Sequence, residues 1–318
     1  MWFIFALVST LGWGFADLFY KKGADENDKQ SHLKQGVWVG IIMGLVSFVL
    51  LLMPQDSALF EHHALSFENI VKYLPASMGY ILSMVIGYAG MRYLEISIIS
   101  PVQNASGALS AAAMIIFFLA RGRIGSITEE FSALDLIGTL IIVIGVIALA
   151  VVEKKLSEKY KGDPKYRLGA LALIFPLLYC VFDTIGTAAD GIILDEETGL
   201  GLTETDVTII YGLTFFAIGV VFWIYMLIRN KAPYNPFKNP SQATAACFEE
   251  FGQIFYVYAM ARNPVLSAPM VASYCIVSVV LSRIFLKEKL KASQYACVIS
   301  VIVGIVMLGI SEGLGEAE

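Results

Sequence analysis

Charged residues are scarce in this 318-residue chain: they make up 15% of the sequence, hydrophobic residues make up 57%, and the mean hydropathy is +0.71. A soluble domain of this length does not need so much apolar surface. The few charges cluster between long apolar runs instead of alternating through them. This pattern excludes an ordinary soluble fold and indicates an integral membrane protein.

Cysteine and histidine are also rare, with four and three residues. The cysteines fall inside apolar runs without a CxxC pair, so we expect small packing residues and no disulfide. His62 and His63 have no acidic or cysteine partner at ligand spacing, and the runs contain no Ser–His pair, GxGD motif or Walker-type loop. We therefore expect no enzyme, ATP-driven pump, cofactor, metal site or nucleic-acid partner.

Ten stretches are long and apolar enough to cross a bilayer, which takes about 20 residues in a helix. The third and eighth are the weakest because they carry Tyr, Gln or Glu. The first begins without a basic segment or cleavage site, so we expect that it is not a removable signal peptide. We predict an all-α integral membrane protein with transmembrane helices at 2–20, 35–53, 73–91, 97–119, 134–152, 167–190, 206–228, 242–261, 265–286 and 293–311.

The two halves of the chain resemble each other. ALVSTLGWGFAD (6–17) and ALIFPLLYCVFD (172–183) both end in an aspartate at an offset of 166, and Tyr88 pairs with Tyr256 at 168. Each half contains five predicted helices, so the second half enters the membrane from the opposite side. The sequence thus predicts two inverted five-helix repeats, residues 1–153 and 154–318, with a site at their interface.

Small residues and prolines add structural expectations. Small residues let membrane helices approach closely, and five glycines are candidates for such contacts: Gly12, Gly14, Gly138, Gly145 and Gly304. Proline interrupts helix hydrogen bonding, so bends are expected in the fourth, sixth and ninth helices, at Pro101, Pro176 and Pro269.

The basic residues predict the orientation. All Lys and Arg lie in or beside the loops after the odd-numbered helices, except Lys72, Arg121, Arg123 and Arg262. The positive-inside rule places those loops in the cytoplasm and both termini outside. The short loops favour a bacterial plasma membrane.

The segment 267–308 has a helix that opens near a proline, a basic-acidic loop with a glutamate, then a glutamine and a Gly-rich last helix, at Pro269, Glu288, Gln294 and Gly304. In these features, and over nearly its whole length, the chain resembles the ten-helix EamA-type members of the drug/metabolite transporter superfamily. It departs from the family at Cys297, where a glycine is usual, and the first half lacks a clean counterpart of Glu288. The resemblance implies a transporter of amino acids, nucleotide sugars, sugar phosphates, amines or drugs.

Acids inside the predicted helices indicate the site. Such an acid must be protonated, paired or hydrated in a cavity, and no Lys or Arg lies well inside a helix to pair with it. Aromatic faces one turn from Asp17 and Asp183 are suited to organic ammonium ions. The candidate substrate-binding residues are Trp13, Asp17, Tyr88, Asn104, Tyr179, Asp183, Glu249, Gln253, Tyr256 and Tyr274. The candidate proton-coupling residues are Asp17, Asp183, Glu249 and Glu250.

These residues predict an alternating-access carrier for an amine or quaternary-ammonium cation, with proton coupling left open. The alternatives are an exporter of amino acids or other neutral or anionic metabolites, and a membrane sensor or scaffold. Asp17 could instead form an interfacial ion pair with Lys21, and Glu249 and Glu250 point about 100° apart, so both cannot face one cavity. The expected partners are a small-molecule substrate and the lipid bilayer. A monomer is expected because its halves supply a complete interface, with a dimer as the alternative.

Overall fold

The structure, a computed structural model, describes residues 1–25, 27–54, 61–94, 96–159, 174–231, 234–287 and 291–315. These residues form helices joined by turns and loops, and they contain no β-strand. The first seven helices are α1 (Trp2–Gly23), α2 (Ser31–Leu52), α3 (Phe67–Gly90), α4 (Ile96–Gln103), α5 (Ser106–Arg121), α6 (Ile127–Glu130) and α7 (Ala133–Lys159). The others are α8 (Ile174–Leu194), α9 (Glu204–Asn230), α10 (Pro240–Arg262), α11 (Pro264–Ala272), α12 (Tyr274–Leu281) and α13 (Ala292–Gly315).

Eight described segments are long and apolar enough to cross a membrane. Two of them are composite: one runs from Ile99 in α4 to the end of α5, and the other consists of α11, α12 and the π-turn at Ser282–Leu286. In addition, α7 contains a shorter apolar stretch, Ala133–Leu149. The predicted eighth helix, α10, is 23 residues long but carries too many polar side chains to be among the eight. Glu288 and residues 167–173 of the predicted sixth helix lie outside the described residues.

Four pairs of helices run along each other: α1 with α10, α2 with α9, α3 with α8, and α7 with α13. Glycines from both helices meet in every pair. A Cβ atom added at Gly79 would lie 2.7 Å from Cα of Gly186, and one added at Gly12 would lie 3.0 Å from Cα of Gly252. The other two pairs meet at Gly40 and Gly219 and at Gly138 and Gly304. The close contacts predicted for glycines are confirmed at Gly12, Gly14, Gly138, Gly145 and Gly304.

The fourth and ninth predicted helices, in which bends are expected at the prolines, are each broken into two helices. The breaks fall one turn after Pro101 and Pro269, between α4 and α5 and between α11 and α12. At the first break Asn104 Nδ2 donates to the carbonyl oxygen of Ser100 at 2.8 Å. At the second, the Ser273 hydroxyl donates to the carbonyl oxygen of Met270. Side-chain donors thus compete with the helical hydrogen bonds just beyond each proline.

Large apolar side chains are exposed on the outward faces of the long helices, including Ile4, Phe48, Leu177, Val221 and Ile299. Polar side chains instead lie inside, and Asp17, Gln103, Asp190 and Gln253 are each at most 5% exposed. A soluble protein shows the opposite arrangement. An apolar exterior around an interior that also holds polar side chains is suited to contact with lipid tails.

Candidate functional site

A cavity with several polar side chains in its lining lies between the long helices. It is lined by residues of α1, α3, α5, α8, α9, α10, α11 and α12, together with Gln103 and Asn104 at the break after α4. The space between its lining atoms is about 710 Å³, including the part open to solvent. All ten candidate substrate-binding residues line it: Trp13, Asp17, Tyr88, Asn104, Tyr179, Asp183, Glu249, Gln253, Tyr256 and Tyr274.

Asp17 is the most firmly held acid of the cavity. It lies on α1, is 5% exposed, and accepts hydrogen bonds from the hydroxyls of Ser100 and Ser278, both at 2.7 Å and both to Oδ2. In the part of the chain that the structure describes, no hydrogen bond reaches Oδ1, which remains available to a ligand. Lys21, the alternative partner, donates to the carbonyl oxygens of Met91 and Leu94 at 2.7 and 2.9 Å.

An aromatic group flanks Asp17. The ring of Trp13 lies 5.0 Å from that of Tyr256 at a tilt of 32° and 5.7 Å from that of Tyr274, edge to face. Its indole nitrogen donates to the carbonyl oxygen of Glu249 at 3.2 Å. These contacts fix the orientation of the ring. An electron-rich aromatic face therefore lies close to a carboxylate, which is an arrangement that attracts organic cations.

Asp183 lies on α8 and faces the same cavity. It is partly exposed, and its Oδ2 accepts a hydrogen bond from Ser106, the first residue of α5, at 2.6 Å. Tyr179, one turn earlier, packs over Gly87 on α3, where an added Cβ would come within 2.8 Å of its ring. The close approach of α3 and α8 thus positions Tyr179 beside the acid.

The structure separates the two adjacent glutamates of α10. Glu249 lines the cavity, whereas Glu250 is 4% exposed and does not. Gln253, one turn after Glu249, also lines the cavity, and its buried amide nitrogen has no hydrogen-bond partner among the described residues. The Gln103 amide nitrogen is buried in the same lining and likewise has no partner there. Both amides can donate to a ligand.

Two hydroxyl-linked tyrosine pairs also line the cavity. The hydroxyl of Tyr88 donates to that of Tyr20 at 3.0 Å, and the hydroxyls of Tyr80 and Tyr256 contact each other. Tyr80 also donates to Thr187 at 3.3 Å. Tyr80 and Tyr88 are eight residues apart on α3, so the pairs lie about 12 Å apart along that helix. Tyr80, Tyr256 and Thr187 are called the tyrosine layer below.

The charge of the lining is one-sided. Three acids line the cavity, Asp17, Asp183 and Glu249, and no Lys, Arg or His is among the described lining residues. No group of three or more His, Cys, Asp or Glu suited to a metal ion occurs within the described ranges. The lining therefore favours a cationic ligand over an anionic one.

The sequence was compared with models of known protein families. Residues 198–310 match the model of the EamA-like transporter family. The match covers less than half of the chain. The predicted EamA-type relationship is thereby confirmed. No curated protein matches the chain in sequence.

A solved crystal structure of another protein is similar over 98% of this chain and 97% of its own, with a TM-score of 0.58 and 13% identity. At this identity the likeness shows the fold alone. The long apolar helices indicate a multi-pass membrane protein in a lipid environment, and the EamA match relates its second part to transporters.

The EamA segment supplies one part of the cavity, with Tyr211, Glu249, Gln253, Tyr256 and Tyr274, while Asp17 and Asp183 lie outside it. Several lining residues were not among the predicted ones. Tyr20 and Thr187 share helix faces with the two aspartates, so their spacing was a usable signal. The serines that bind the aspartates lie on other helices, and no local pattern marks them.

Proposed function

We propose that this protein is a secondary active transporter of a small organic cation, of the amine or quaternary-ammonium type. The observation that carries the proposal is the cavity lined by three carboxylates and by aromatic faces, without a basic residue among its described lining. An anionic substrate would meet these acids with no cation beside them. A cation would be balanced by the carboxylates and attracted by the rings of Trp13, Tyr256 and Tyr274.

We further propose that the chain consists of two inverted repeats, residues 1–153 and 154–318. The packing supports this: exchanging the halves converts the α1–α10 pair into the α8–α3 pair, and maps α2–α9 and α7–α13 onto themselves. The two broken helices occupy corresponding places in the halves. Discontinuous helices beside a central site are common in carriers with such repeats. One chain lines the whole cavity, so a monomer suffices.

Alternating access would use the two tyrosine pairs as gates. Tyr20–Tyr88 and Tyr80–Tyr256 lie at different depths of the cavity, and each joins α3 to another helix through hydroxyl groups. Separation of one pair opens a path while the other remains closed. The Lys and Arg distribution supports loops after the odd-numbered helices in the cytoplasm, both termini outside, and a plasma-membrane location.

The experiment that tests the substrate class is a thermal-stability screen of the purified protein in detergent, because a bound ligand raises stability by mass action. The panel contains tetramethylammonium, choline, spermidine, zwitterionic amino acids and UDP-glucose, each at two pH values. We expect cations to stabilise the wild type but not Asp17→Asn.

Asp206→Asn is the matched control. Asp206 is also buried, but it binds the Thr203 hydroxyl and backbone amide at the start of α9, away from the cavity lining. This variant should lose stability without ligand and keep the cation response. Stabilisation by UDP-glucose alone, unchanged in Asp17→Asn, would contradict the proposal and direct attention to basic helix ends such as Arg92 and Arg262.

A further inference from the structure

Asp190 is a buried acid that the cavity does not use. It lies two turns after Asp183 on α8, is 0% exposed, and is absent from the cavity lining. Among the described residues, neither of its carboxylate oxygens accepts a hydrogen bond of normal geometry, whereas Oδ2 of Asp17 and Oδ2 of Asp183 each accept one or more. An ionised carboxylate without a partner is strongly unfavourable inside a membrane protein. Asp190 therefore needs a bound proton or a cation to offset the negative charge of its carboxylate.

The groups that face Asp190 are hydroxyls. Tyr73 and Tyr80 approach from α3 and Tyr256 from α10, with Tyr211 of α9 farther away. The hydroxyls of Tyr80 and Tyr256 bind each other, whereas the buried Tyr73 hydroxyl faces Asp190 and makes no hydrogen bond of normal geometry among the described residues.

The rest of the surroundings is apolar. Beside Asp190, the next residue of α8 packs against Met114 of α5, Met260 of α10 and Pro264 of α11. Asp183 is the nearest acid on the same helix face. No Lys or Arg forms an ion pair with Asp190 among the described residues, so nothing there balances a negative charge.

The tyrosine layer contacts both the cavity and Asp190. Tyr80, Tyr256 and Thr187 line the cavity, and the first two also interact with Asp190, which does not line it. Thr187 lies one turn before Asp190 on α8 and accepts the hydrogen bond from Tyr80. Opening of the layer would therefore connect Asp190 with the cavity and its water.

We propose that Asp190 is a proton-binding site coupled to the tyrosine layer, occupied while the layer is closed and emptied when it opens. Its role in transport rests on the proposed function. Binding forms one O–H bond between a carboxylate oxygen and a proton delivered by water, and the neutral acid can then donate to a tyrosine oxygen and accept from the Tyr73 hydroxyl. Release returns the proton to water that enters through the opened layer.

The first test does not depend on the substrate. Infrared spectra of the purified full-length protein at high and low pH report the carbonyl stretch of protonated carboxylic acids. We expect one such band in the wild type to disappear in Asp190→Asn and to persist in the control Asp206→Asn. If Asp190→Asn does not fold, Asp190→Glu should keep the band at a shifted frequency. If neither substitution at residue 190 alters the carbonyl band, the proposal is overturned.

The second test addresses coupling, with choline as the probe in proteoliposomes. Asp190→Asn should retain choline exchange without a pH gradient and lose uptake driven by the gradient. Gradient-driven uptake that is unchanged in Asp190→Asn overturns the coupling. If choline and the other cations do not bind the wild type, the proposed function fails, and the infrared result alone then decides whether Asp190 carries a proton.

Discussion

The cavity walls supplied by α1 and α8 each carry an aspartate, but the two acids are held differently. Asp17 is 5% exposed and is bound by serines of two other helices. Asp183 is partly exposed and is bound by one serine. A charge shielded from water interacts more strongly with a bound cation. We therefore infer that the two acids contribute unequally to binding, with the α1 wall contributing more.

The largest expected effect comes from neutralising these acids. Truncating one partner of a buried charge pair costs about 2–5 kcal/mol, so Asp17→Asn should weaken binding of the stabilising cation by roughly 100-fold. Asp183→Asn should weaken it by about tenfold, since solvent screens this acid and hydrogen bonds to charged groups are worth about 1.5–3 kcal/mol. Isothermal titration calorimetry of both variants measures the ratio. If both variants lose the same affinity for the cation, or if Asp183→Asn loses more, the inferred difference between the α1 and α8 walls is wrong.

The helix pairs behind the two walls differ in how closely they pack. A Cβ added at Gly79 meets backbone atoms of Gly186 at 2.7 Å, whereas one added at Gly12 meets those of Gly252 at 3.0 and 3.1 Å. Overpacking costs about 1–3 kcal/mol, so Gly79→Ala should destabilise the protein by about 2 kcal/mol and Gly12→Ala by about 1 kcal/mol. Thermal unfolding in one detergent measures both.

Gly309→Ala is the matched control for these variants. A Cβ there would meet the ring of Phe3, a side chain that can move, instead of a helix backbone. It should be tolerated better than Gly79→Ala. Equal melting temperatures for the two variants would show that the α3–α8 contact is looser than the structure indicates.

The sequence predicted the helices and much of the lining because both signals are local. An acid or a tyrosine in an apolar run is rare, so Asp17, Asp183 and Glu249 stood out. Ser100, Ser106 and Ser278 did not, since serine is ordinary in membrane helices and the partner lies on another helix. Asp190 was missed for a different reason: the predicted helix ended at residue 190, where an acid is typical of an interface, but α8 continues to Leu194 and buries it.

Smaller effects should follow from removing single serine hydroxyls. Ser278→Ala leaves Asp17 with Ser100, whereas Ser106→Ala removes the serine that binds Asp183. A hydrogen bond contributes about 1 kcal/mol, so each change should weaken cation binding by roughly fivefold. In an Asp17→Asn background, Ser278→Ala should add little, because the residues act together. Full additivity in this double-mutant cycle would show that Ser278 does not act through Asp17.

The smallest effect concerns the loop that follows α1. Burial alone raises the pKa of Asp28, but hydrogen bonds from Lys34 and from the Gln30 amide outweigh it and hold the pKa below its ordinary value of 3.8. A lowered pKa in the folded state means that this stabilisation is present above about pH 4 and is lost as the pH falls through the folded value. Because the pair is partly exposed, Asp28→Asn should cost at most about 0.5 kcal/mol near neutral pH. Melting temperatures from pH 7 down to pH 3 should show the wild type converging on the variant. A constant difference across that range would mean that the loop is stabilised by packing and not by the Asp28 charge.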